Sequence, residues 1–407
     1  MSVLQKNRTL AIYVAAGAAF TALSARGFLV PLYAHGLGAS RFEVGALFSV
    51  STLAAAVLSL PSGMLIDRFG ARTLLWSSVV VAAVTQLATA ATTSVAPLFL
   101  WQIIGGLAGG AQNAVLFAAV TEAVSGGKLG RAIAWLTFAF QTGFFIGPTI
   151  AGIALTWIDL RTDIALTTAV LLFAIPGSLA ATSTREAHAG FSLAGPLRAL
   201  ISQPAFTPLV IGLVGATLIQ GTVGAFLPIF GKEGLGLPGA QVGYLIAIQA
   251  VANGAARIPA GSLVDRARRR WPLVFAGVMV WSVASVVLGH LSGFWAPAVL
   301  LVIATPFMAA AYVAMGTVFG DLSATSTRGV TMGFYGTVLF LAMAGGPLVF
   351  GPIVQGFGYA AGFTACAVVS MALAVTMAAM QSEMIRRNTR RGSAGGSETR
   401  AEAATRR

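Results

Sequence analysis

Twelve times between Leu10 and Ile385 the chain runs for about twenty residues with scarcely a charge, and each run can cross a hydrocarbon layer roughly 30 Å thick. The runs fall at 10–33, 42–64, 73–93, 96–123, 132–157, 163–183, 206–230, 240–263, 272–292, 296–320, 329–355 and 359–382. In lipid, a backbone N–H or C=O has no partner outside a helix or a closed barrel. A barrel needs ten-residue strands that alternate in polarity, and these runs do not alternate. The fold class predicted is therefore an all-α integral membrane protein with twelve transmembrane helices. No connector between runs is long enough to hold a soluble domain.

Only 9% of the 407 residues are charged, yet the net charge is +13. That excess does not point to nucleic acid, because it sits in short connectors. With the N-terminus inside, inner segments hold 20 of the 25 Lys and Arg residues, while Arg41, Arg161 and Lys232 lie outside and Arg26 and Arg257 fall within spans. The asymmetry predicts both termini on the cytoplasmic side of a cell (inner) membrane. The Ala- and Arg-rich, Lys-poor composition suggests a bacterial source. Lys6 and Arg8 before an apolar run, with Ala22-Leu23-Ser24-Ala25 behind them, resemble a cleavable leader. The run continues to Pro31, so it is expected to be retained as the first span. His35, His188, His290 and the lone Cys366 have no metal-ligand spacing, and neither metal nor cofactor is expected.

The chain repeats itself. Val44-Gly45, Pro61, Gly63-x-Leu65 and Asp67-Arg68 recur 198 residues later as Val242-Gly243, Pro259, Gly261-x-Leu263 and Asp265-Arg266. Glu122, Gly147-Pro148 and Gly152 recur at 199 as Asp321, Gly346-Pro347 and Gly351. Two halves of six spans in the same orientation predict a two-fold axis along the membrane normal, with a solute site where the halves meet. The expected organisation is a first bundle at 1–184, a cytoplasmic linker at 185–205, a second bundle at 206–384 and a disordered basic tail at 385–407.

The connector Gly63-Met-Leu65-Ile-Asp67-Arg68-Phe-Gly70-Ala71-Arg72 resembles the G-x-L-x-D-R-x-G-R-R/K signature of the major facilitator superfamily, with Ala71 where Arg is usual. Span five carries Gly143-x-x-x-Gly147-Pro148-x-x-Ala151-Gly152, similar to a motif of the twelve-helix drug–proton antiporters. This likeness covers nearly the whole chain. It implies a cytoplasmic latch in which Asp67 faces the positive N-terminal end of a helix in the other half, most simply span eleven. Arg68 or Arg72 would link it to Glu122, beside Arg131. A weaker copy would use Asp265, Arg266 and Asp321, and Arg257 near Pro259 would serve as a gate or packing residue. The simpler alternative is that these charges only set topology. Gly143, Gly147, Pro148 and Gly152, with Gly346, Pro347 and Gly351, would form packing surfaces near one face of each helix.

Ionisable groups at bilayer depth are costly, so each is a functional candidate. Arg26 presents a guanidinium fork suited to a carboxylate or phosphate; it could equally pair with Glu43 or reach the outer headgroups. Gln112, Asn113, Gln141, Gln220, Gln249 and Asn253 come from both halves and are candidate cavity-lining residues, with interhelical hydrogen bonding as their alternative role. None of the twelve acids lies at mid-membrane, and Gln102 stands where the exporter branch usually carries Arg, which argues against a simple proton relay. No phosphate loop or nucleophile–base set occurs, so the chain is not expected to be an enzyme or primary pump. The reading is a monomeric alternating-access transporter exporting a small amphipathic or lipophilic compound against protons. The alternatives are a carrier of small organic anions through Arg26, and a non-transporting receptor on the same fold.

Overall fold

The computed structural model describes the backbone of residues 3–59, 61–123, 129–180, 194–322 and 328–405; the side chains of 3–6, 59, 62–64, 67, 121–123, 129–131, 133–134, 194, 196–197, 328–330, 332–333 and 387–405 are outside the description. Every element among the described residues is helical, because each apolar run closes its own backbone hydrogen bonds. The first half comprises α1 (Val3–Gly36), α2 (Arg41–Ser59), α3 (Ser62–Phe69), α4 (Ala71–Ala91), α5 (Val95–Ala123), α6 (Leu129–Ala154), α7 (Leu160–Val170) and α8 (Ile175–Ala180). After the short α9 (Ala194–Ile201) come α10 (Phe206–Glu233), α11 (Gly239–Arg266), α12 (Trp271–Leu288) and α13 (Trp295–Asp321). A final run, Arg328–Thr405, is broken at Gly358 (φ 86°, ψ 174°) into α14 (328–357) and α15 (359–405).

Ten stretches are long and apolar enough to span a membrane. One of them, 334–386, is the two spans α14 and α15 joined at Gly358, and α11 falls short of the apolarity test, so the architecture has twelve membrane helices. What lowers α11 is its own chemistry: Gln249, Asn253, Arg257 and Asp265 all sit on it. Span six is not one regular helix, because a single 3-10 turn at Leu171–Ala174 separates α7 from α8 ahead of Pro176. The backbone of α15 is described as helical to Thr405, past the expected end of the last span. A helix already nucleated in α15 extends without a new nucleation cost, and Ala, Arg, Glu and Met favour it. Of the expected linker, 185–193 lies outside the described residues, and α9 covers 194–201.

Pro61 ends α2, and Gly70 (φ 82°, ψ 147°) turns the chain from α3 into α4. That backbone conformation is open to glycine and strained for other residues. At the repeat offset of 198 its counterpart is Arg268, and no non-glycine residue has positive φ among the described residues, so the second half makes this turn differently.

The halves meet along two related crossings, α2 with α14 and α6 with α11. A Cβ on Gly243 would stand 2.5 Å from the Pro148 carbonyl oxygen and 2.9 Å from Gly152 Cα. Its repeat partner Gly45 would place one 2.6 Å from Phe226 Cζ and 3.3 Å from Pro347 Cβ. Ser49 Oγ donates to Ala344 O at 2.7 Å across the first crossing. Both lie toward the end of the bundles opposite the chain termini, which is therefore sealed by backbone contact at α6/α11 and by the Phe226 ring and Pro347 against Gly45 at α2/α14.

The glycines of α6 do not share a face. Added Cβ atoms on Gly143 and Gly147 would run into α1, at Thr21 and Ser24, whereas Gly152 looks to α11. Five residues separate Gly147 from Gly152, and at about 100° per residue that turns the helix by roughly 140°. The motif thus packs α6 inside its own half and across the seam at once. Gly346 and Gly351 repeat the division, toward Leu218 and Thr222 of α10 and toward Phe42 of α2. Large apolar side chains elsewhere point outward, including Ile258 at 84% exposure, with Trp157 and Trp295 near the sealed end, where lipid and headgroups would cover them.

Gly243→Leu is expected to force α6 and α11 apart. Overpacking costs about 1–3 kcal/mol, so the sealed arrangement should lose about 5- to 150-fold in population. Spin-label distances between Phe42 and Gln355, in a Cys366→Ser background, would lengthen; an unchanged distance distribution would disprove the crossing.

Candidate translocation pathway

Just beyond the glycine crossings, four side chains tie the halves at the sealed end. Glu233, in the last turn of α10, takes His35 Nε2 on Oε1 at 2.8 Å and Arg41 Nε on Oε2 at 2.9 Å. The Tyr359 hydroxyl donates to the same Oε2 at 2.7 Å. The Arg41 guanidinium also lies 4.7 Å over the Tyr359 ring. His35 and Arg41 come from the first half, Glu233 and Tyr359 from the second. All four sit at helix ends, where sequence reading treated charge as topology. The one available clue was an acid, Glu233, in a region that also carries Arg41 and Lys232.

Deeper in the seam a second polar junction forms. Gln141 Nε2 on α6 donates to Asn253 Oδ1 on α11 at 3.3 Å, joining the halves. Arg257 Nε, one turn on, donates to the same oxygen at 3.1 Å. Tyr312 on α13 and Tyr335 on α14 are near enough to interact electrostatically with Arg257. No carboxylate pairs with this arginine among the described residues. Asn113, Gln220 and Gln249 are half-buried and carry no hydrogen bond among the described residues, leaving amide groups free for water or solute.

Arg26 and Gln112 are elsewhere. The Arg26 side chain is buried inside the first half, where Nη2 donates to Trp101 O at 2.8 Å and to Gln102 Oε1. Gly105 makes room for it, since any Cβ there would overlap the guanidinium. Gln112 Nε2 donates to Ser78 O at 3.1 Å. Both line a cavity of about 20 Å³ within the first half, enough for about one water. Arg26 does not pair with Glu43, whose Oε2 instead accepts from Ser40 N at 2.8 Å and Ser40 Oγ at 2.9 Å. A carboxylate at the third position of a helix satisfies the free N–H groups of the first turn, and Ser40 takes it first. Gln102, read as a lost exporter arginine, is the acceptor for Arg26: the cation stands on α1 rather than on α5.

One buried acid escaped the sequence reading. Asp163 in α7 is 2% exposed and its Oδ2 has no hydrogen-bond partner. One turn later, Thr167 binds Gln86, which lines the same small cavity as Arg26.

The expected latch is described only in part. The side chains of Gly63, Asp67, Glu122 and Arg131 lie outside the described residues. Arg68 and Arg72 are exposed, with Arg68 5.3 Å over the Phe69 ring. In the second copy Asp321 pairs with Arg270; Asp265 and Arg266 are exposed and unpaired among the described residues. The link from Asp321 thus runs to Arg270 rather than Arg266, because Arg270 begins α12, next to the end of α13.

The solved structures similar to this chain include a bacterial homologue of the human lysosomal transporter Spinster in an inward-facing, unoccupied conformation. It shares 16% identity over 93% of this chain and 96% of that one, with a TM-score of 0.78. The nucleoside transporter NupG also aligns, at 16% identity over 92% and 99% of the two chains, with a TM-score of 0.75. An uncharacterized MFS-type transporter of Methanocaldococcus jannaschii is 28% identical over 156 residues, which span 38% of this chain and only 39% of that relative. The Major Facilitator Superfamily model matches residues 12–243 and 209–404. Motifs, repeat, helix count and model match agree: the chain belongs to the major facilitator superfamily.

Proposed function

We propose that the chain is a secondary active transporter working by alternating access, with its solute held between the halves at Gln141, Asn253 and Arg257. The carrying observation is the Asn253 side chain, which accepts one hydrogen bond from Gln141 of the first half and one from Arg257 of the second, while Arg257 has no acidic partner among the described residues. A small amphipathic organic solute with an anionic or hydrogen-bond-accepting group would complete that junction, its apolar part lying against the surrounding aromatic side chains. Arg257 thereby takes the role that sequence reasoning gave to Arg26. The asymmetry of Lys and Arg favours a cytoplasmic face at the termini end, which makes the described state inward-facing, with its outer gate built from His35, Arg41, Glu233 and Tyr359.

The α6 motif favours export driven by protons, as in the antiporters it resembles. Asp163 supports that coupling: an ionisable group inside a bundle is costly and marks proton or solute pathways. Proton uptake and release there, with Thr167 and Gln86 leading toward Arg26, would couple the first half to the proton gradient.

Three measurements test these assignments. Charge-assisted hydrogen bonds contribute about 1.5–3 kcal/mol, so Arg257→Ala should weaken binding of a responsive organic anion about 10- to 150-fold in a thermal-shift titration, and Arg257→Lys should restore part of it. Wild-type affinity in Arg257→Ala would remove this residue from the site. Asp163→Asn should leave ligand binding intact while flux in proteoliposomes loses its response to an imposed pH gradient; retained coupling would exclude Asp163. Glu233→Gln weakens three contacts to one partly exposed carboxylate, about 1–2 kcal/mol in sum. Spin-label distances across the outer gate should then shift about 5- to 30-fold toward the open population, and no shift would leave the gate to the glycine crossings alone.

A further inference from the structure

One cavity lies away from the seam. It lies at the termini end of the second half, about 340 Å³ in volume, between the start of α10, the α11–α12 connector, the end of α13 and α15. That volume is in the range of small-molecule pockets. Its floor is apolar, with Leu209, Val274 and Met377 buried and Val318 half-buried.

Its rim is cationic. Arg268 and Arg270 line it, and Arg266 and Arg269 flank them in sequence. Arg270 is committed to Asp321, whereas Arg268 is exposed and has no acidic partner among the described residues. Beneath the rim, the indole N–H of Trp271 is shielded from solvent and makes no hydrogen bond. A buried donor without an acceptor carries a desolvation cost that an acceptor at that point would remove. Gln381 on α15 adds a further amide at the edge.

We infer that this groove binds one anionic phospholipid, with its phosphodiester between Arg268 and the Trp271 N–H and an acyl chain along Leu209, Val274, Val318 and Met377. The pattern of donors above a wholly apolar floor matches a molecule that is charged at one end and aliphatic at the other. A free phosphate would leave the floor empty, and a neutral solute would leave Arg268 unmatched. The height also fits: α12 begins at Trp271 and α13 ends at Asp321, so the groove opens at the level where spans meet headgroups. Basic clusters at that level attract anionic lipid. The site is separate from Arg257 and Asn253, so it does not depend on the solute assignment above.

Native mass spectrometry of the full chain, delipidated and then supplied with phosphatidylglycerol or phosphatidylcholine of matched acyl chains, reads the site. One phosphatidylglycerol should be retained in preference to phosphatidylcholine. Arg268→Gln should weaken that retention about fivefold, as expected for one basic side chain at a charged surface. Trp271→Phe, which keeps an aromatic ring and deletes the donor, should weaken it as well, whereas Arg161→Gln, exposed at the opposite end, should not. Equal retention of the two lipids, or unchanged phosphatidylglycerol retention in the Arg268→Gln/Trp271→Phe double variant, would overturn the inference. So would inorganic phosphate stabilising the protein as much as phosphatidylglycerol in a thermal-shift assay.

Discussion

A glycine lets a neighbouring helix come to van der Waals contact, and this chain uses one at two places related by its repeat, backbone against backbone at α6/α11 and backbone against an aromatic ring and a proline at α2/α14. Gly243 against Pro148 and Gly152, and Gly45 against Phe226 and Pro347, bring the halves together without the hydrophobic driving force that would serve in water. In lipid, dispersion contact and a few hydrogen bonds must do that work. The other features of the seam depend on this closeness. Ser49 reaches the Ala344 carbonyl, Gln141 reaches Asn253, and Glu233 can be shared by side chains of both halves because α2 and α6 already lie against α14 and α11.

Polar chemistry is divided between two places that sequence cannot separate. Arg26, Gln86, Gln102, Gln112, Thr167 and Asp163 are buried within the first half, where Arg26 bonds Gln102, Gln86 bonds Thr167 and Gln112 bonds the Ser78 carbonyl. Gln141, Asn253 and Arg257 face the seam. Both groups look alike as isolated polar residues in apolar runs. What distinguishes them is the azimuth of each side chain around its helix, and a span that is apolar on nearly every side gives little hydrophobic periodicity from which to read azimuth.

The fold itself was legible, because bilayer thickness dictates run length and the 198-residue offset dictates pairing of the halves. Individual contacts were less so. Gly152 falls some 140° from Gly147, a rotation already contained in the spacing of the motif but hidden by treating its glycines as one surface. The cluster at the sealed end was invisible for another reason. His35, Arg41, Glu233 and Tyr359 lie far apart in sequence and occupy helix ends, where charges ordinarily report orientation alone. Asp163 lies near a span boundary, where sequence position says nothing of burial, and α1 and α4 cover that side of α7.

A transporter's seal has to be reversible, and the chemistry at the two ends suits that demand. Two states interconvert usefully when they differ by only a few kcal/mol, so that the minor one stays populated. A seam of fully buried ion pairs would exceed that, since a buried charge left without its partner costs about 3–5 kcal/mol. Glu233 and its basic partners are instead 21–35% exposed, and water can take over their hydrogen bonds as the halves part. The α6–α11 crossing behaves likewise, contributing backbone contact without interlocking side chains, and at the α2–α14 crossing water can take over the Ser49 hydrogen bond as the halves part. Strength is concentrated inside each half, where Gly143, Gly147 and Gly346 lock α6 and α14 against α1 and α10. Rigid halves and a yielding seam are the mechanical requirement for exposing one site to each side of the membrane in turn.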